Sequence, residues 1–403
     1  MTQGTRRRAA RAALATVALL PLLLGGGGVE VAWGWFPVIM ASPKEQLVPV
    51  PKVFYRPQPG NPAFQDPRGI AIDSHGNVWV ANAGSDSVTE ILREGGYRKK
   101  RTYGGPATHF DHPHDLAIDH LDDVWVVSRH GVTALYAKDR YMDPDYYSQR
   151  RYAVRFRERD IAVDPSAPWP VSLFVTGSKR EILHIYGTPG KNMEENLSIL
   201  DGDPAIPRTV LEGMAADGHG HVFIANRGGS IIRENLKNGH LGPATVSVGT
   251  DPKTGKGVPF HNPPVLLALD PSGNLWSTDP DTHMVSILYI RPDGNLGNGK
   301  DIPAVNPPPD DPRGLAVDGR GNLWFPNHNT GRLNIIPPGR FKGATFRMNY
   351  YSIKDHGRIF HARRIAIDDR GNVWMTGDEG VVRANPPPVV PVRTPLLGLP
   401  GKP

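Results

Sequence analysis

Hydrophobic and polar residues alternate along the chain in short bursts, and seven of these bursts share one pattern. They read GIAID ending at Asp73, DLAID at Asp119, DIAVD at Asp164, GMAAD at Asp217, LLALD at Asp270, GLAVD at Asp318 and RIAID at Asp368. Apolar residues one and three places before the aspartate, such as Ile70 and Ile72, bracket an alanine two places before it. That is the period of a β-strand. Six residues after the aspartate stands a large aromatic: Trp79, Trp125, Phe223, Trp276, Trp324 and Trp374. The third copy delays it to Phe174, beyond a Pro-containing turn over 165–170. Between them, as in Ser74-His75-Gly76-Asn77, the polar residues suit a tight turn into a second strand.

Successive aspartates are 46, 45, 53, 53, 48 and 50 residues apart, the length of one four-stranded propeller blade. One repeat cannot bury both faces of its sheet, so the copies must stack, and a ring leaves no open end. The expected fold is therefore all-β, a seven-bladed β-propeller of antiparallel blades over residues 42–390. A six-bladed ring with a degenerate third copy is the alternative. The last copy runs through one more strand, near Gly380 to Ala384, and lacks a fourth. The extended segment Val48 to Arg56 precedes the first copy and is expected to supply that outer strand.

Composition changes the picture in three places. Gly 45 and Pro 41 are scattered through the chain, which favours turns between short strands over long helices. There is no cysteine, which excludes disulfides, thiolate catalysis and cysteine-ligated metals. Arg6, Arg7, Arg8 and Arg11 precede an apolar run from Ala12 to Val29, which reads as an export signal. Residues 1–41 are expected to be a signal peptide or membrane anchor, and 391–403 a Pro-rich tail. The domain would then work in the periplasm or outside the cell, with a membrane tether through the N-terminus as the anchored case. Formal net charge is +6, half of it carried by four arginines and one glutamate in residues 1–41. So mild a surplus gives no basis for a nucleic-acid partner.

The cores Asp73 to Trp79 and Asp368 to Trp374, of the form Asp-x-x-Gly-Asn-x-Trp, resemble NHL repeats and the similar repeats of streptogramin (virginiamycin B) lyase-type propellers. The resemblance covers about residues 48–390. It implies a propeller, while such repeats serve binding, scaffolding and catalytic proteins alike.

Candidate chemistry lies where the inner strands begin. Five residues before each aspartate stand Arg68, His114, Arg159, Glu212, Val265, Arg313 and Arg363, which ring closure would gather around one mouth of the axis. Guanidinium groups suit anionic ligands because the planar fork binds two oxygens. Pairing with the nearby Asp66, Asp160 and Asp311 is the structural alternative. His112 and His114, on one side of an extended segment, with His261 or His361, could hold a divalent metal. No other cofactor is expected.

Resemblance to two enzyme families sharpens this. NHL-type amidating lyases carry zinc-holding Pro-His pairs at this strand start in three blades. Here only Pro113-His114 matches. Streptogramin lyases often end the second strand in Trp-Phe-Thr-Glu, with acids that help bind magnesium. The corresponding residues are Asn82, Ser128, Gly177, Asn226, Asp279, Asn327 and Gly377, of which Asp279 alone is acidic. The expectation is an exported module binding a small molecule, glycan or protein on the axial face. A metal-assisted lyase using these histidines with Asp279 is the alternative.

Overall fold

The computed structural model describes residues 48–386 apart from loop segments, the longest being 138–157, 200–209, 291–299, 302–308 and 341–348. The export segment, the Pro-rich tail and His261 lie outside the described residues. No helix among those described is long and apolar enough to cross a membrane.

Each repeat aspartate closes an inner strand, and the aromatic six residues on lies in the second. In blade 1 the strands are Pro67–Ile72, Val78–Asn82, Ser87–Leu92 and Lys99–Gly104, in that order across the sheet. The inner strands of the other blades are Asp115–Ile118, Glu158–Val163, Leu211–Ala216, Leu266–Leu269, Ala316–Val317 and Ala362–Ile367. Each inner strand contacts the next, and Ala362–Ile367 contacts Pro67–Ile72, which closes the ring at seven.

The repeat residues are explained by one arrangement. Every alanine sits directly across from its aromatic: Ala71 opposite Trp79, Ala162 opposite Phe174 despite the long turn, and Ala366 opposite Trp374. The small side chain leaves room for the ring, which fills the gap to the neighbouring blade. Trp79 packs on Leu116 and Val126 of blade 2, Trp324 on Ile365 and Met375 of blade 7, and Trp374 on Ile70 and Val80 of blade 1. The aspartate does two jobs. Asp318 accepts the Asn322 backbone N–H at 3.0 Å, closing the turn, and the buried Trp324 indole N–H at 3.0 Å. Asp73, Asp119, Asp270 and Asp368 accept their indoles in the same way. In blade 4, where the aromatic is Phe223, His221 Nδ1 lies 2.6 Å from Asp217 instead.

The N-terminal segment closes the ring as expected, with one addition. Lys52–Tyr55 pairs antiparallel with Gly380–Ala384 as the outer strand of blade 7. Tyr55 stacks on Trp374 with ring centroids 5.7 Å apart. Val48–Pro49, just before it, pairs in parallel with Asn349–Ser352 of blade 6, so the segment ties two blades rather than one. The basic run Arg98 to Arg101 is exposed on the outermost strand of blade 1 and the turn before it.

Candidate functional site at the mouth of the axis

The turns between second and third strands lie on the face where the inner strands begin, and their charged residues meet there. On the rim between blades 7 and 1, Asp66 accepts from Arg68 at 2.9 Å and from Arg363 at 2.5 Å. Arg363 also pairs with Asp378 at 2.7 Å. Burial alone would raise the Asp66 pKa; the two guanidinium hydrogen bonds outweigh it and hold the carboxyl below its usual range. Arg313 pairs with Asp311 at 2.9 Å. Glu212 lies 3.5 Å from Arg227, which also binds Asp281 of blade 5. Val265 donates its backbone N–H to Thr278 and carries no charge to the rim. The backbone of Arg159 is in its expected inner strand, and its side chain is outside what the structure describes. Ring closure thus gathers the expected arginines, each described one bound to a carboxylate.

The histidines separate into two groups. His112 has φ +47°, so the segment is not extended there, and the premise that set His112 and His114 on one side does not hold. Its Nδ1 faces Asp111 at 2.9 Å and Asp86 at 3.5 Å, and Arg129 approaches Asp111 at 3.9 Å. Asp86, Asp111 and His112 form the one cluster of three metal-capable side chains found among the described residues, with ligand atoms within 4.8 Å of one another. His114 is half-buried. Burial, with the charges of Arg68 and Arg129, lowers its pKa, which favours the neutral ring.

Two blades away, His361 Nδ1 lies 2.5 Å from Glu379 Oε1, and its backbone N–H donates to the same carboxylate. His328, which the sequence did not single out, lies beside it with ring centroids 5.3 Å apart. Its Nδ1 is 3.0 Å from the Ala362 carbonyl oxygen, an acceptor, so that nitrogen carries the proton and Nε2 keeps its lone pair. The strand ends that would match a magnesium set do not fit one. Asn82 is buried and bonded to Phe64, Ser87 and Thr89; Asp279 is buried and holds Asp281 and Thr282. These residues cap turns.

The sequence reading missed the floor of the mouth. Four residues before the repeat aspartates stand Gly69, Asp115, Asp160, Gly213, Leu266, Gly314 and Arg364, one place nearer the axis than the ring expected. A Cβ on Gly69 would lie 2.6 Å from the Asp115 Cα, and one on Gly213 2.8 Å from the Leu266 Cα, so neighbouring inner strands touch through these glycines. Arg364 reaches past Gly69 to blades 2 and 3. Its Nη2 is 3.3 Å from Asp160 Oδ1 and 3.6 Å from Asp115 Oδ2. Asp160 is also held by the Met214 N–H at 2.6 Å. Burial, then a hydrogen bond and like charge from Asp115, raise the Asp160 pKa well above its usual value, so the two carboxyls share a proton. Burial would lower the Arg364 pKa, but Asp115 and Asp160, with Glu212, outweigh it and keep the group charged.

No family model matches the chain, and no curated protein does. Solved structures do. A streptogramin B lyase superposes with TM-score 0.62 at 14% identity over 85% of this chain and 99% of its own. The chain has the seven-bladed propeller fold of the streptogramin B lyases. The virginiamycin B lyase of Staphylococcus aureus matches with TM-score 0.60 at 15% identity, covering 84% of this chain and 99% of that one. The extracellular domain of a putative hybrid two-component system from B. thetaiotaomicron matches with TM-score 0.55 at 12% identity, over 84% of this chain and 41% of that one. At these identities the likeness concerns the fold.

Proposed function

We propose that this protein is an exported binding module that recognises its ligand at the mouth of the propeller axis. One observation carries the reading. Charged and imidazole side chains from blades 1, 2, 4, 5, 6 and 7 converge on a single face, above an axis closed by the buried Arg364, Asp115 and Asp160. A concave polar mouth on a rigid ring is the usual setting of a ligand site. Export is supported by the basic-then-apolar N-terminus and by the extracellular domain among the structural relatives. The ligand is a small molecule, glycan or protein segment.

The reading is tested by a thermal-shift panel of anions, sugars and divalent metals, with metal analysis of the purified protein. A binding module gives a saturable shift with a panel compound that weakens in Arg313→Ala and Arg363→Ala, and holds no stoichiometric metal. The second reading, a metal-assisted lyase, is favoured by His361 and His328. Each imidazole has Nδ1 fixed by an oxygen acceptor, as in histidines that bind metal through Nε2. It predicts stoichiometric metal that is lost in His361→Ala. One S. aureus relative is described as a catalytically inactive virginiamycin B lyase, a histidine-to-alanine variant, with quinupristin, so a histidine matters to that enzyme's reaction.

A further inference from the structure

The guanidinium of Arg364 is only half used. Nη2 faces the two aspartates, while Nε and Nη1 hydrogen-bond to no described residue, and the side chain keeps 27% of its surface. Arg68, Arg313 and Arg363 differ: each sits on the outer rim in a close carboxylate pair. The partners of Arg364 are themselves fixed. Asp160 Oδ2 accepts the Met214 N–H and Asp115 Oδ1 accepts the Leu116 N–H, which leaves the opposite oxygen of each for the arginine. The guanidinium is therefore held in place on the axis before any ligand arrives, and its ordering cost is already met. Gly69, Gly213 and Gly314 put no side chains beside it, so a small group entering the mouth can reach it.

Two adjacent N–H donors on a planar fork match the two oxygens of a carboxylate. Asp115 and Asp160 share a proton, so the floor carries one negative charge rather than two and does not repel a monoanion as a dianionic floor would. A phosphate dianion would meet Glu212 and the remaining carboxylate with only one guanidinium to offset them. We infer that Arg364 anchors a carboxylate-bearing small ligand at the axial floor of the mouth. This rests on the reading of the mouth as a ligand-binding face, and names the group its ligand carries.

The test is a titration of the full chain, labelled with nitrogen-15, with acetate and separately with inorganic phosphate. It follows the arginine Nε–H signal that disappears in Arg364→Lys. The expected result is a saturable shift of that signal by acetate and a weaker response to phosphate. Arg364→Lys should bind acetate about tenfold more weakly, while Lys100→Ala on the outer strand binds it as wild type does. An Arg364 signal that acetate does not move saturably overturns the inference, as does Arg364→Lys binding acetate normally. If Arg364→Lys fails to fold, Arg364→Gln serves for assignment and the wild-type titration decides. Failure here is distinguishable from failure of the broader reading. Panel compounds that bind and are lost in Arg363→Ala, with the Arg364 signal unmoved, overturn the anchor and leave the mouth standing.

Discussion

Replacing Gly69 with alanine tests whether neighbouring inner strands meet at the axis. The added Cβ would lie 2.6 Å from Asp115 Cα and 3.0 Å from its carbonyl carbon, both backbone atoms of blade 2. A side chain could rotate away; this backbone is fixed by its pairing with Val124–Ser128. Relief therefore requires the strands to separate by a good fraction of an ångström. Overpacking of this kind costs about 1–3 kcal/mol. The stiffer unfolded chain returns about 0.4–1 kcal/mol of that. The net expectation is a loss of about 1–2 kcal/mol, or a fall of about 2–4 °C in the unfolding midpoint. Gly213→Ala should behave alike, because its Cβ would meet the Val265 carbonyl oxygen at 2.7 Å. Calorimetry or urea unfolding of both variants measures the effect. Stabilities equal to wild type in both would refute the close approach of the strands and, with it, the narrow axial floor.

The remaining expectations concern the repeat and its buried acids. Trp324→Phe removes the indole donor to Asp318 and leaves a void between blades 6 and 7, at a cost of about 2–4 kcal/mol by urea unfolding; no loss would mean the bond contributes nothing. Glu234 is 1% exposed, both its carboxylate oxygens lack partners among the described residues, and burial pushes its pKa up to about 7. The folded state then keeps the proton where the unfolded chain has released it, so this contribution to stability is full in acid and is lost as pH rises through about 7. Glu234→Gln should match wild type near pH 4, as an approximate setting below the usual carboxylate range. It should exceed wild type above pH 7 by up to about 3 kcal/mol. Parallel stability–pH curves for the two proteins would contradict this.

The fold was legible because its determinants are local and repeated. Alanine, aspartate and the aromatic recur at fixed offsets, and the structure gives each a partner within its own blade or the next, as in Ala71 opposite Trp79 and Trp79 donating to Asp73. The axial floor was harder to read. The pairing of inner and second strands slips between Pro67 and Ile70, Glu158 and Asp160, Leu211 and Met214, and Ala362 and Arg364. These bulges fall where the two-residue alternation was being extrapolated, and a bulge re-aims the side chains beside it. Alternation alone therefore could not say whether Arg363 or Arg364 reaches the axis. The contact of Arg364 with Asp160, 204 residues away, exists only through ring closure. His328 was missed for a related reason: it comes from the turn of blade 6 and meets His361 only because blade 7 brings that residue alongside.

The central claim is that residues at the two ends of the domain form one blade and so close the ring. The chain has no cysteine, so a pair introduced at Val53 and Arg383, which face each other across the outer strands of blade 7, would report on that contact alone. Under mild oxidation the folded Val53→Cys/Arg383→Cys protein should form an intramolecular disulfide in most molecules, seen as a reducible mobility change without dimer. Free thiols that persist in the folded protein, or disulfides formed only between molecules, would contradict the closed ring and the mouth that depends on it.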